Sequence, residues 1–320
     1  MSGTVSGGRH ALRDPRPEVE PVAIGDPGRA ARAVIPQPDR RFPFRPAIVL
    51  DGVRIEGSSD AGGLEVRAAS RRGLSHQYYG TTRQDEFGFL VTQDRRWLVV
   101  SVADGVSAGE YSHRAAEIVT REGCTRIAGL LTGVAPAALD WNAVLGEVSA
   151  VVVGQVRAEL DLPGADLRQV ADRAAATALF AVVAVDPDDG GGRTVHVMSL
   201  GDTSAWLLHS ERETRWTPLQ AVKNAGAAVA SSATAAVPLI PRELPPPVAA
   251  RLDQDGVLVL MTDGVGDALG GGTGEVGDHL ARAWQRPPDP LNFAAQVGFA
   301  RRSYDDDRTV VAVWPTPAPS

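Results

Sequence analysis

The chain has 320 residues, of which 43% are hydrophobic and 22% are charged, and its net charge is −7. Such a chain can bury a substantial core as one large domain or two small ones. Residues 1–62 hold nine Arg against eight Asp and Glu, a net of +1, so the remaining residues carry −8. This distribution argues against nucleic acid as a partner. No apolar run approaches the roughly 20 residues of a membrane span, so we expect no membrane partner either.

Cysteine usage narrows the chemistry further. Cys124 is the only cysteine, which excludes a disulfide framework and a zinc site built on several thiolates. It lies at apolar spacing within a predicted helix, so we expect it in the core. The first residues lack the apolar region of a signal peptide, and we therefore expect a cytoplasmic location.

The two ends of the chain have the composition of non-core segments. Residues 1–45 contain seven of the 23 prolines and no sustained apolar period, so they are predicted to be disordered. Residues 46–62 are predicted to be a hairpin or linker, because two short apolar runs flank the turn-forming pair Asp51-Gly52. Residues 315–320 are predicted to be a tail.

Residues 63–314 mix strand and helix patterns and are predicted to form one domain. The predicted strands are Leu64–Ala69, Phe87–Thr92, Trp97–Ala103, Thr177–Val185, Thr194–Leu200, Ser204–His209, Val257–Thr262 and Thr309–Trp314. The predicted helices are Tyr111–Leu131, Trp141–Leu160, Asp278–Gln285 and Leu291–Ser303. The order is not a regular βαβ alternation, and short loops suit antiparallel neighbours. The pattern therefore predicts an α+β fold with layers of antiparallel sheet covered by helices.

Five aspartates stand next to apolar runs. Asp104, Asp202 and Asp263 follow such runs, whereas Asp85 and Asp306 come just before them. Carboxylates brought together at strand ends repel one another, and a shared hard cation removes that repulsion. Two divalent ions bridged by carboxylates form a hydrolytic site. Asp-Gly is also a common hairpin turn, so a turn role is the alternative for the Asp-Gly pairs at 104 and 263.

The order of the motifs along the chain is more specific than any single one. They are Gln84-Asp85-Glu86-Phe87, Ala103-Asp104-Gly105-Val106, Leu200-Gly201-Asp202-Thr203, Met261-Thr262-Asp263-Gly264 and Asp305-Asp306-Asp307-Arg308-Thr309. Over about residues 64–314 this series resembles the metal-dependent Ser/Thr protein phosphatase family (PPM, type 2C) in its compact bacterial form.

The resemblance implies a fold, a cofactor and a reaction. The fold is a four-layer α-β-β-α sandwich of two antiparallel sheets flanked by helices. Two Mn²⁺ or Mg²⁺ ions share a bridging water that attacks phosphoserine or phosphothreonine in proteins, and a Ser/Thr kinase is an expected partner. The implied metal ligands are Asp85, Asp104, Gly105 through its carbonyl, Asp263 and Asp306, with Asp202 holding a third, weaker ion. The four aspartates 85, 104, 263 and 306 are also the predicted catalytic residues.

Departures from the family pattern concern the groups that handle phosphate. Many relatives have an Arg five residues before the first metal aspartate, where this chain has Gly80; Arg83 is the candidate replacement. Asp307 stands where Asn is usual. The acid that protonates the leaving group is unassigned, with His76 and His113 as candidates.

Two other functions stay open at this point. The missing Arg is compatible with a metal-binding pseudophosphatase that binds a phosphoprotein without turnover. A nucleotide-binding site is the third class, because residues 270–274 form a glycine-rich run. No Gly-Lys-Ser/Thr follows that run, and this argues against the third class.

Overall fold

The computed structural model describes residues 22–28, 45–58, 62–209, 215–220 and 235–317. Two antiparallel sheets lie face to face, and helices cover the outer face of each. The predicted α+β class and the four-layer α-β-β-α sandwich are therefore confirmed.

The first sheet has six strands within the described ranges. In spatial order they are β1 (Ile48–Glu56), β2 (Gly63–Arg71), β11 (Arg308–Thr316), β10 (Gly256–Met261), β7 (Ser204–His209) and β8 (Trp216–Pro218). The last strand along the chain, β11, thus lies in the middle of the sheet, paired with β2 on one side and β10 on the other.

The second sheet has five strands in the part of the chain that the structure describes. Their order is β3 (Glu86–Val91), β4 (Trp97–Ala103), β5 (Ala178–Ala184), β6 (Arg193–Leu200) and β9 (Val248–Leu252). Residues on β4 alternate between two cores: Val100 packs between the sheets, and Val99 packs against the helices. This alternation explains why the strand is apolar on consecutive residues, since both of its faces are covered.

Seven α-helices are present among the described residues: α1 (Leu74–Tyr79), α2 (Ser112–Leu130), α3 (Trp141–Glu159), α4 (Leu167–Ala171), α5 (Asp263–Leu269), α6 (Glu275–Ala283) and α7 (Pro290–Val297). α2 and α3 cover the second sheet, and α5 to α7 cover the first. The side chain of Asp140 accepts a hydrogen bond from the Ala143 N–H and so caps α3. The predicted apolar face of α3, which includes Val144, Val148 and Val152, is buried.

The predicted hairpin around Asp51-Gly52 is wrong. Residues 48–56 form one continuous strand, and all nine of them pair with β2. Gly52 is explained by packing and not by a turn, because a Cβ at this position would lie 2.7 Å from Pro290 Cγ of α7. The linker alternative is wrong as well, since this strand belongs to the first sheet.

Both predicted end segments contribute to the fold in part. Residues 1–21 and 29–44 lie outside the described residues, but Ile24 is buried in the core beneath the first sheet. Its N–H donates to the Ala300 carbonyl at 3.1 Å, and this pairing uses backbone that the predicted helix would have occupied. The helix accordingly ends at Val297. Pro315 and Thr316 belong to β11 and not to a tail.

The described α-helices do not include a membrane-spanning segment. None of them combines the length and the apolar character needed to cross a membrane.

Candidate metal centre

The five predicted aspartates are positioned by strand ends at one end of the sandwich. Asp85 comes directly before β3 and Asp104 directly after β4, and antiparallel pairing places both at the same end of the second sheet. Asp202 precedes β7, Asp263 follows β10 and Asp306 lies shortly before β11, again at one end of the first sheet. Each carboxylate is therefore held by a rigid element.

Two groups of side chains are close enough to share an ion. Oxygens of Asp104, Asp202 and Asp263 all lie within 4.8 Å of one another, so one cation with oxygen ligands at its usual distances fits between them. Ligand atoms of His76, Asp306 and Asp307 form a second group with the same limit. The first group joins carboxylates from both sheets.

The pKa values of four aspartates in this centre are raised above their ordinary value. Burial, together with the charges of neighbouring aspartates, raises the pKa of both Asp85 and Asp104 well above the usual range. Burial also raises the pKa of Asp263 to about 6, although a hydrogen bond with Asp104 works in the opposite direction. For Asp306, burial again raises the pKa, against the effect of a hydrogen bond from the Asp307 N–H.

These side chains fit a hard divalent cation. Asp104 and Asp263 lie close enough to influence each other, since Asp263 raises the pKa of Asp104 and Asp104 lowers the pKa of Asp263. Asp263 Oδ1 is buried without a hydrogen-bond partner. A cation bound to these oxygens would neutralise their charge and satisfy the orphaned oxygen. The roles of the individual residues as ligands stay predictions.

The glycines after Asp104 and Asp263 allow close packing of backbone. A Cβ at Gly105 would lie 2.8 Å from the Gln84 carbonyl oxygen, and one at Gly264 would lie 2.0 Å from the Asp307 carbonyl oxygen. Neither Asp-Gly pair connects two strands of a hairpin, because Asp263 begins α5 and residue 105 makes an isolated bridge to Ala176. The turn alternative is therefore wrong for both pairs.

Thr177 holds the main chain of Asp104 in place. Its hydroxyl oxygen accepts the Asp104 N–H at 2.8 Å, and its own N–H donates to the Asp104 carbonyl at 2.8 Å. Two reciprocal bonds from one residue of the adjacent strand end fix the backbone at the point where β4 ends. This pairing gives a physical role to Thr177, which the sequence pattern indicated only as the first residue of a predicted strand.

Asp307, in the position where relatives have Asn, connects three segments of the centre. It is 2% exposed, and its carboxylate accepts the Gly73 N–H at 2.7 Å and the Gln84 N–H at 2.5 Å. His76 Nδ1 lies 2.9 Å from the same carboxylate. A carboxylate with these three partners is well compensated although it is buried.

Gly80, at the position of the missing arginine, and Arg83, its candidate replacement, are both explained by their local structure. Gly80 ends α1 with φ 68°, a left-handed conformation that favours glycine over arginine. Arg83 is 1% exposed and bonds inward, to Ser70 Oγ, to the Asp85 carbonyl and to Glu86. The hypothesis that Arg83 replaces the missing phosphate clamp is therefore wrong for this structure.

The two candidate histidines lie in different environments. His113 is 1% exposed, and burial, with the nearby charges of Arg45 and Arg114, lowers its pKa to about 4. A neutral, enclosed imidazole is a poor proton donor to a substrate. His76 instead belongs to the second group of candidate ligand atoms, beside Asp306.

Sequence patterns did not reveal two functional contacts of the centre. One is the Asp307 carboxylate with His76, and the other is the Thr262 hydroxyl with Asp85. The substitution of Asn by Asp at 307 was the one available signal for the first contact. No periodicity signals a contact between Thr262 and a residue of the opposite sheet.

Comparison with known proteins agrees with this architecture. A family model described as protein phosphatase 2C matches residues 72–290, about two thirds of the chain. No curated protein sequence matches. Among solved structures, the chain is similar to the Mycobacterium tuberculosis serine/threonine phosphatase PstP/Ppp, with a TM-score of 0.51, 17% identity, and coverage of 79% of this chain and 99% of that one.

A second solved structure is similar over most of the chain. It is a phosphatase from a pathogenic strain of Toxoplasma gondii, with a TM-score of 0.53, 13% identity, and coverage of 84% of this chain and 96% of that one. Identities this low show the fold, while the family model shows the membership that the motif order predicted. The chain therefore belongs to the protein phosphatase 2C family.

Proposed function

We propose that this protein removes phosphate from phosphoserine and phosphothreonine in proteins, in a reaction that depends on Mn²⁺ or Mg²⁺. The observation that carries the proposal is the convergence of carboxylates from both sheets, with oxygens within 4.8 Å and pKa values raised by burial and mutual repulsion. Membership of a phosphatase family supports the same reaction.

The residues that would hold two ions are those the motif order predicted. Asp104 and Asp263 would share them, with Asp85, Asp306 and the Gly105 carbonyl as further ligands. Asp202 would bind a third, weaker ion next to the first two aspartates, in agreement with its place in their group. When bound, such ions supply an activated water nucleophile and neutralise charge on the phosphoryl group.

A cavity of about 770 Å³ is lined by Ala108 and Glu110, on the loop that follows Gly105, and by residues 161–165, while none of the proposed metal ligands lines it. We propose this cavity as a binding site for polypeptide that flanks the phosphorylated residue. A cognate Ser/Thr kinase and a cytoplasmic location stay predictions.

Dependence on metal is the first expected result. Protein stripped of metal should not hydrolyse p-nitrophenyl phosphate or a phosphothreonine peptide, and Mn²⁺ or Mg²⁺ should restore both reactions. Steady-state rates across a metal titration measure this directly, with a phosphotyrosine peptide as the control substrate. Full activity after exhaustive chelation would contradict the proposal. Protein that binds Mn²⁺ tightly and hydrolyses nothing would instead be the pseudophosphatase.

His76 is proposed as the group that protonates the leaving oxygen of the substrate. Burial alone would lower the pKa of His76, but the hydrogen bond with Asp307 and the charges of Asp307, Asp306 and Asp85 together raise it. Asp307 contacts Nδ1, so Nε2 is the nitrogen that would hold the transferable proton. The arrangement of carboxylate and imidazole is one that orients a general acid.

The variant His76→Asn tests this role. Asparagine can keep a donor near Asp307 while it removes Nε2, so the fold should persist. Loss of a general acid should slow phosphothreonine hydrolysis by roughly 100-fold or more. p-Nitrophenyl phosphate should react at nearly the wild-type rate, because nitrophenolate leaves without protonation. His279→Asn on α6 is the matched control, and equal losses on both substrates would rule out the leaving-group role.

A further inference from the structure

One hydroxyl group connects Asp85 to the opposite sheet. Thr262, the residue after β10, donates its hydroxyl proton to Asp85 Oδ2 at 2.8 Å. Thr262 is fully buried and Asp85 is 2% exposed, so no water competes for this bond. The contact is therefore a fixed link between the first sheet and the carboxylate that precedes the second.

The Thr262 side chain is also held by Thr309. The Thr309 N–H donates to Thr262 Oγ1 at 3.0 Å, and the Thr262 N–H donates to the Thr309 carbonyl at 3.0 Å. A hydroxyl has one proton to donate, and an ionised carboxylate can only accept. The Thr262 hydroxyl therefore donates to Asp85 while its oxygen accepts from Thr309, and these two bonds fix the orientation of the side chain.

The main chain of Asp85 is held from the other side by a second set of bonds. Arg83 donates to the Asp85 carbonyl and, at 2.6 Å, to Ser70 Oγ. Ser70 Oγ lies 2.6 Å from Thr309 Oγ1, so the two hydroxyls share a hydrogen bond. Thr309 is thus the common anchor of both the backbone and the carboxylate of Asp85.

We propose that Thr262 is a positioning residue for the metal centre, which fixes Asp85 Oδ2 by a directed hydrogen bond and leaves Oδ1 as the oxygen available to a cation. The inference rests on the proposed function, because it concerns metal binding at that same site.

The test uses two substitutions of Thr262 and one matched control. Thr262→Val keeps the shape and removes the hydroxyl, whereas Thr262→Ser keeps the donor. Thr120→Val removes a hydroxyl that is equally buried but bonds only to the α2 backbone, at Ala116 and Glu117. Mn²⁺ affinity of each full-length protein is measured by calorimetry, together with kcat and KM for p-nitrophenyl phosphate.

We expect Thr262→Val to bind Mn²⁺ about tenfold more weakly, which corresponds to about 1.4 kcal/mol. Its kcat at limiting Mn²⁺ should fall accordingly, while KM for the phosphoester changes little. Thr262→Ser and Thr120→Val should both bind Mn²⁺ like wild type.

Two results would overturn the positioning role. One is wild-type Mn²⁺ affinity in Thr262→Val; the other is a loss in Thr262→Ser as large as the loss in valine. If Thr262→Val fails to fold, Thr262→Ala, which also lacks the hydroxyl, takes its place. The Mn²⁺ affinity of Thr262→Ala is then compared with that of wild type, both with Asp85 present and in the Asp85→Asn background. Loss of the hydroxyl should weaken binding only when the Asp85 carboxylate is present. A wild type that binds Mn²⁺ without turnover would contradict the proposed function alone, since the affinity comparison would stand.

Discussion

Replacing Asp104 or Asp263 by asparagine is expected to reduce turnover by several orders of magnitude. Each substitution removes a charge that would hold a cation, and without that cation the attacking water keeps a pKa far above neutral. Both side chains contribute an oxygen to the same candidate ion site, so we expect that one aspartate cannot compensate for the loss of the other. Rates with saturating Mn²⁺ for wild type, Asp104→Asn and Asp263→Asn measure the effect.

The same variants should keep their fold. In the metal-free protein, the aspartates repel one another, and like charges about 5 Å apart repel by roughly 3 kcal/mol at an effective dielectric of about 20. Asparagine relieves this repulsion, so metal-free variants should melt at or above the wild-type temperature. Asp189→Asn, an exposed aspartate that also precedes a glycine, is the control. Variants with intact turnover would remove Asp104 and Asp263 from the proposed catalytic centre.

Without metal, the free energy of unfolding should decrease as pH rises from about 4 to about 6. Asp263 has a pKa of about 6 in the fold against 3.8 as its ordinary value, so the folded state holds the proton more tightly than the unfolded state. The stabilising effect of that proton is complete below about pH 4 and is lost as pH rises to about 6. Burial also raises the pKa values of Asp85 and Asp104, so these two carboxyls contribute to the loss in the same direction.

Chemical unfolding at a series of pH values isolates this effect when wild type is compared with Asp263→Asn. Without metal, the variant should gain stability relative to wild type between pH 4 and 6, because it has no carboxyl to ionise at this position. Saturating Mn²⁺ should reverse the order at pH 7, since wild type alone retains the full set of ligands. A difference independent of pH and metal would show that Asp263 is not part of a repelling cluster.

The layers of this fold could be predicted from the sequence because burial on both faces leaves a strong signal. β4 and β5 are apolar on consecutive residues, and the long helices α2 and α3 have regular apolar faces. Short elements such as α1, α4, β8 and β9 were not predicted. Their residues are mostly exposed or half-buried, so they lack a periodic apolar pattern.

The aspartates of the site could be proposed from motif order, whereas the direction of the side chains around them could not. Arg83 has the right charge and the right spacing to reach Asp85 and the substrate. In the structure, the hydroxyl of Ser70 and the carboxylate of Glu86 bind its guanidinium inside the protein. These partners come from two different strands, and spacing along one strand does not indicate contacts between them. Gly52 is a second example, because the close approach of Pro290 on α7 explains the glycine, and the local sequence around residue 52 does not indicate that contact.

The central position of β11 in the first sheet affects the order in which the protein folds. This strand follows the other ten along the chain, yet it must enter between β2 and β10. Asp306 lies just before it, so a nascent polypeptide has only part of its ligand set until that insertion is complete. Pairing between distant segments is a slow step in folding. The proposed metal centre should therefore be completed late in folding, and a partly folded chain would lack Asp306 at the site that the proposed reaction requires.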